Sequence, residues 1–109
     1  MDTGKQEKIE QQIKETAAAF IERESNKTAL ITITRVTLLD RGRTATIFFS
    51  VLPESAEESA LNFLKRKRAE LRETIKKALS VHTIPFIDVM IDKGEKARHT
   101  IEALLASDK

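Results

Sequence analysis

Between Ala60 and Leu79 the apolar residues fall on one side of an ideal helix, and one arginine falls among them. At about 100° per residue, Ala60, Leu61, Leu64, Leu71, Ile75, Ala78 and Leu79 form a single stripe. Arg68 lies inside that stripe, between Leu64 and Leu71. Lys65, Arg72 and Lys76 line one flank, Lys67 lies on the other, and Arg66 points away. A straight helix packed on a core would bury the guanidinium of Arg68, at a cost of roughly several kcal/mol if it were unpaired. The expected escape is a break around Lys67 to Ala69, which turns Arg68 to solvent and starts a fresh helix near Glu70. The rival is an unbroken helix whose Arg68 snorkels out along its own stem.

A break there has a chemical consequence. It gathers Arg66, Lys67 and Arg68 at an exposed corner, next to Lys65, and presents a new helix N-terminus. Both features attract phosphate. Arg72 and Lys76 would continue the positive edge. The formal net charge is only +2, so a basic function has to come from such local clustering. Arg41 and Arg43 form a second basic point in a hairpin turn, which the sequence alone does not place beside the first.

The other segments supply a core for that helix. Lys5 to Arg23 reads as a helix, with Ile9, Ile13, Ala17, Phe20 and Ile21 on one face. Ala29 to Leu39 reads as a strand whose alternation changes phase near Thr34 and Arg35. A bulge would do this, as would burial on different faces along the strand. Asp40 to Arg43 is a turn with Gly42 suited to positive φ. Thr44 to Leu52 is the second strand, with Ala45, Ile47, Phe49 and Val51 on one side and Thr46, Phe48 and Ser50 on the other. Pro53 stops it. Ser55 is expected to cap the long helix, with Glu58 completing a capping box. Pro85 opens a third strand, with Ile87, Val89 and Ile91 inward and Asp88 and Asp92 outward. Glu95 to Leu105 reads as a short final helix. The order is αββααβα or αββαβα, which predicts a two-layer α+β fold with helices on one face of a small sheet. Residues 1–109 are expected to form one domain.

Several function classes find no support. There is no cysteine, which removes thiolate chemistry and suits a reducing compartment. Met1 to Lys14 is polar and unlike a signal peptide, and no apolar run approaches a membrane span. A cytoplasmic location is therefore expected. His82 and His99 are isolated. Asp88 and Asp92 would lie about 13 Å apart on one strand face, too far for a metal or a carboxylate dyad. Only three glycines occur and no phosphate loop is present. A hydrolase or transferase has no recognisable constellation, and no cofactor is expected. The near absence of surface aromatics argues against a base-stacking platform like that of an RRM domain. Phe48, on the outer side of the second strand, is either packed under a neighbour or part of a contact surface. A protein-interaction module using that face, with incidental RNA binding, is the alternative reading.

The stretches "LITITRVTLLDRGRTATIFFSVL" and "LRETIKKALSVHTIPFIDVMID" carry a resemblance to the ribosome-binding factor A family. It runs from about Lys8 to Leu105. The most specific part is a basic helix, an Ile84-Pro85 link and a strand ending at Asp92; Gly94 and the final small helix also fit. The resemblance implies a KH-like domain of type II, with a helix-kink-helix in place of the glycine-rich loop. The family's Ala-x-Gly kink aligns with Lys67-Arg68-Ala69, so lysine and alanine stand where the family has alanine and glycine. It further implies a non-catalytic assembly factor that binds the immature small ribosomal subunit and its rRNA. Support for maturation of the rRNA 5′ end and a role in the cold belong to the same expectation. The expected rRNA contacts are Lys65, Arg66, Lys67, Arg68, Arg72 and Lys76, with Arg41 and Arg43 as lesser ones. The protein is expected to act as a monomer.

Overall fold

A computed structural model describes residues 3–79 and 83–93. The final helix expected at Glu95 to Leu105, together with His82 and His99, lies outside them. Helix α1 (Thr3–Glu24) leads into strand β1 (Leu30–Leu39), a 3₁₀ turn, and strand β2 (Thr44–Leu52). A second 3₁₀ turn, Glu54–Ala56, precedes helices α2 (Glu57–Arg66) and α3 (Arg68–Ala78), and strand β3 (Phe86–Ile91) follows. The sheet order is β1-β2-β3, with β1 antiparallel and β3 parallel to β2. A parallel partner needs a long crossover, and α2–α3 is that crossover.

The phase change in β1 is a bulge. Ile33 pairs with Phe49 and Arg35 with Phe48, leaving Thr34 as the extra residue. The bulge lets Ile33, Val36 and Leu38 all face the helices, where all three are buried. The Thr34 hydroxyl donates to the Asp92 carboxylate at 2.6 Å, linking the bulge to the residue after β3.

The core lies between sheet and helices. Ile13 from α1, Ile47 and Phe49 from β2, Leu64 from α2, Leu71 and Ile75 from α3, and Ile87 from β3 are all fully buried. Each such side chain contributes roughly 1.5–3 kcal/mol by leaving water. Glu10 adds a polar link, its carboxylate accepting the Leu38 amide at 2.8 Å. Ala78, expected in the apolar stripe, is exposed, because the chain leaves helical geometry at Leu79 and that side chain packs inward instead.

One local expectation is corrected. Ser55 does not cap α2. It lies inside the 3₁₀ turn, the helix begins at Glu57 behind Ala56, and no side chain caps it. Glu57 and Glu58 still occupy the first turn, where negative charge suits the helix dipole.

The hairpin turn is tighter than Gly42 alone would require. Asp40 (φ 51°) and Arg41 (φ 57°) also adopt left-handed geometry, beside Gly42 at φ 84°. A short polar side chain tolerates this well; an arginine there is less usual.

Candidate nucleic-acid interface

The long helix breaks where the sequence demands it. Lys67, at φ −90° and ψ 1°, belongs to neither α2 nor α3. Its amide donates to the Phe63 carbonyl at 3.0 Å, and its carbonyl accepts the Leu71 amide at 2.9 Å. The corner is thus a change of direction within a nearly continuous hydrogen-bond ladder. None of Lys67, Arg68 and Ala69 has positive φ, so this corner does not require glycine. That explains how Lys67-Arg68-Ala69 builds the kink without the Ala-x-Gly pattern.

The rotation carries Arg68 out of the apolar stripe, but not into open solvent. Its side chain is 39% exposed and reaches to β3, with Nη1 3.7 Å from Asp88 Oδ1. Its guanidinium carbon stands 5.4 Å from the centre of the Phe86 ring. Because β3 is an edge strand and both partners have outward parity, Arg68 wraps the sheet edge. The expectation of a solvated Arg68 is corrected to that extent: the acid and the ring give the cation a half-exposed seat.

Lys67 also has partners. Its ammonium lies 3.7 Å from Glu24 and 3.6 Å from Glu70, joining the corner to the end of α1. Arg72 is half-buried and donates through Nε and Nη2 to the carbonyls of Pro85 and Ile84, at 3.3 and 3.2 Å. It holds the segment that leads into β3. Lys65, Arg66 and Lys76 are exposed, and among the described residues none makes an ion pair or side-chain hydrogen bond. Arg66 borders a cleft with Ser25, Asn26, Thr28 and Ser59. Its wall carries these hydroxyl and amide groups together with the Glu24 carboxylate.

The second basic point lies at the opposite end of β2 from Leu52. Arg41 and Arg43 are exposed and line a concavity with Lys5, Thr83 and Pro85. The Phe86 amide donates to the Arg43 carbonyl at 2.8 Å. The start of β3 thus borders both regions: the Arg68 guanidinium lies beside the Phe86 ring, and the Phe86 backbone pairs with the end of the hairpin.

Two participants escaped the sequence reading. For Lys5 the sequence signals only a helix, and its approach to the hairpin is a tertiary fact. Phe86 had a usable signal, since it shares the outward parity of Asp88. Phe48, left open between packing and contact, is half-buried beneath Arg35, whose guanidinium carbon is 4.0 Å from the ring centre.

Comparison with known proteins agrees with this architecture. The family profile described as ribosome-binding factor A matches residues 5–105. A ribosome-binding factor A of Fervidobacterium nodosum is 33% identical over 82 residues, covering 74% of this chain and 66% of that protein, just under two thirds of its length. The crystal structure of ribosome-binding factor A from Thermus thermophilus superimposes with a TM-score of 0.70 at 22% identity, over 79% of this chain and 94% of that one. A solution structure from Thermotoga maritima, described as a putative ribosome binding factor A, gives a TM-score of 0.60 at 27% identity, over 82% and 84% of the two chains. A Thermus thermophilus homology model fitted into a cryo-EM map of a 30S complex gives 0.67 at 22% identity, over 78% and 92%. The α1-β1-β2-α2-α3-β3 order with its mixed sheet is the KH-like fold of these structures. With a family match across residues 5–105, nearly the whole sequence, this chain belongs to the ribosome-binding factor A family.

Proposed function

We propose that this protein is a non-catalytic assembly factor that binds the small ribosomal subunit through its 16S rRNA. The observation that carries the reading is the pair Lys65 and Arg66, exposed and without partners among the described residues, at the helix corner of a ribosome-binding factor A family member. Phosphates are the natural ligands of such a pair, and KH-type domains grip single or distorted strands. The Thermus thermophilus relative fitted into a 30S complex supports the choice of subunit.

The roles of the cations differ in this reading. Lys65, Arg66 and Lys76 meet phosphates directly, and Arg41 and Arg43 add contacts from the hairpin. Lys67, Arg68 and Arg72 border the same surface and shape it through their protein partners, adding positive field to it. The protein acts as one KH-like domain, as a cytoplasmic monomer without a cofactor. It favours one rRNA conformation by binding that conformation better than its competitors. Assistance to maturation of the rRNA 5′ end would follow from holding the terminus in a processable shape. The need would be greatest in the cold, where misfolded RNA rearranges slowly.

Co-sedimentation with isolated small subunits tests the proposal. Wild-type protein should pellet with them, and a Lys65→Glu/Arg66→Glu variant should stay largely in the supernatant with an unchanged melting temperature. Equal pelleting of both would remove the corner from the binding site. No pelleting of the wild type would remove the function.

A further inference from the structure

The sheet face turned away from the helices carries side chains outside the core, of which Phe86 and Asp88 touch the cation corner through Arg68. Pairing across the strands aligns Leu39, Thr44 and Phe86 in one row, Thr37, Thr46 and Asp88 in the next, and Arg35, Phe48 and Met90 in a third. Phe86 is 56% exposed, and Leu39 in the same row is 51% exposed. Isolated exposed apolar residues need no explanation. Phe86 is not isolated, because the Arg68 guanidinium lies beside its ring and its backbone pairs with the arginine-bearing hairpin.

From this arrangement we infer that Phe86 is a stacking site for an unpaired base of the bound RNA. The inference rests on the rRNA-binding reading above and names how part of that surface recognises its ligand. The Arg68 guanidinium lies 5.4 Å from the ring centre, and the Phe86 amide is bonded to the carbonyl of Arg43. A strand that follows the sheet edge between the Arg68 side of the corner and the hairpin passes the start of β3. The residue exposed there is aromatic. Two rows further on, Arg35 over Phe48 offers a second flat arginine-on-ring surface on the same face. Arginine and aromatic planes together are the surface on which splayed bases stack.

The carboxylates on this side do not oppose the strand strongly. Asp88 is held by Arg68 and by the Val89 amide, and Asp92 by the Thr34 hydroxyl. A protein partner would use the same area differently. It would draw on Leu39 and Met90 and would not require a ring at position 86.

A short single-stranded oligoribonucleotide carrying one 2-aminopurine, titrated at two salt concentrations, tests the idea. Phe86→Leu keeps an apolar side chain and removes the ring; Phe86→Tyr keeps the ring. The wild type and Phe86→Tyr should bind with salt-dependent affinity and quench the probe. Phe86→Leu should bind about fivefold more weakly or worse, with the same salt slope, the same melting temperature and little quenching. If Phe86→Leu binds and quenches like the wild type, the stacking site is overturned and the rRNA-binding reading stands. If Phe86→Leu loses small-subunit pelleting while its oligoribonucleotide affinity is unchanged, the face grips protein and the inference is again overturned. If the wild type shows no salt-sensitive binding of RNA, the function itself fails and the stacking site with it.

Discussion

Lys65 and Arg66 close α2; Lys67 and Arg68 turn the chain and open α3. The four are consecutive in sequence and nearly identical in chemistry, yet they have opposite surroundings. The first pair is exposed and has no partner among the described residues. The second pair is half-buried, with Glu24 and Glu70 around Lys67 and with Asp88 and Phe86 around Arg68. The difference follows from the helix break, since a guanidinium excluded from the leucine stripe is carried to the sheet edge. The second pair thereby holds the corner in place, and the first pair is left free to meet a ligand. A charge run is thus two devices, one that builds the surface and one that uses it.

The largest effect should come from the apolar seats on either side of the break. Leu64 and Leu71, each 1% exposed, anchor α2 and α3 in the same core. Changing either to alanine should cost about 2–5 kcal/mol, read as a lower urea midpoint. If Leu71→Ala costs nothing, α3 is not anchored as described and the contrast between the pairs loses its basis. Next comes Arg72→Met, which removes two charged hydrogen bonds to the link before β3. The expected loss of stability is up to about 3 kcal/mol. Unchanged stability with weakened RNA binding would instead move Arg72 into the group that meets phosphate.

The sequence carried the outline of this fold because its periodicities are strong. Apolar spacings of three and four marked the helices, alternation marked β2, and the phase change at Thr34 marked the bulge. The break at Lys67 was legible because one charge contradicted its stripe. The partners of the cations were not legible. Glu24 lies 43 positions before Lys67, Asp88 lies 20 after Arg68, and no local pattern links either pair. The start of α2 was misplaced at Ser55 because a capping pattern is a local preference, and the chain leaving Pro53 makes a 3₁₀ turn first. The place of Phe86 between Arg68 and the hairpin backbone depends on the sheet register.

Smaller effects sharpen the contrast. Lys67→Ala should lower stability by only about 0–1 kcal/mol, since its ion pairs are partly exposed and screened. Thermal unfolding at low and high salt should show the deficit shrinking as salt rises. Arg41→Gly relieves a left-handed arginine in the hairpin and should change stability by no more than about 1 kcal/mol in either direction. The same substitution should weaken rRNA binding, which would separate the turn's geometry from its charge. Unchanged binding would confine the interface to the helix corner.

The division between the two pairs is tested most directly by the salt dependence of binding to small-subunit rRNA. Replacing Lys65 and Arg66 together with alanine should make the slope of log K against log salt shallower by about 1.4–1.8, two phosphate contacts at about 0.7–0.9 each. Replacing Lys67 alone should leave that slope nearly unchanged. An unaltered slope in the double variant, with the full loss appearing in Lys67→Ala, would contradict the account.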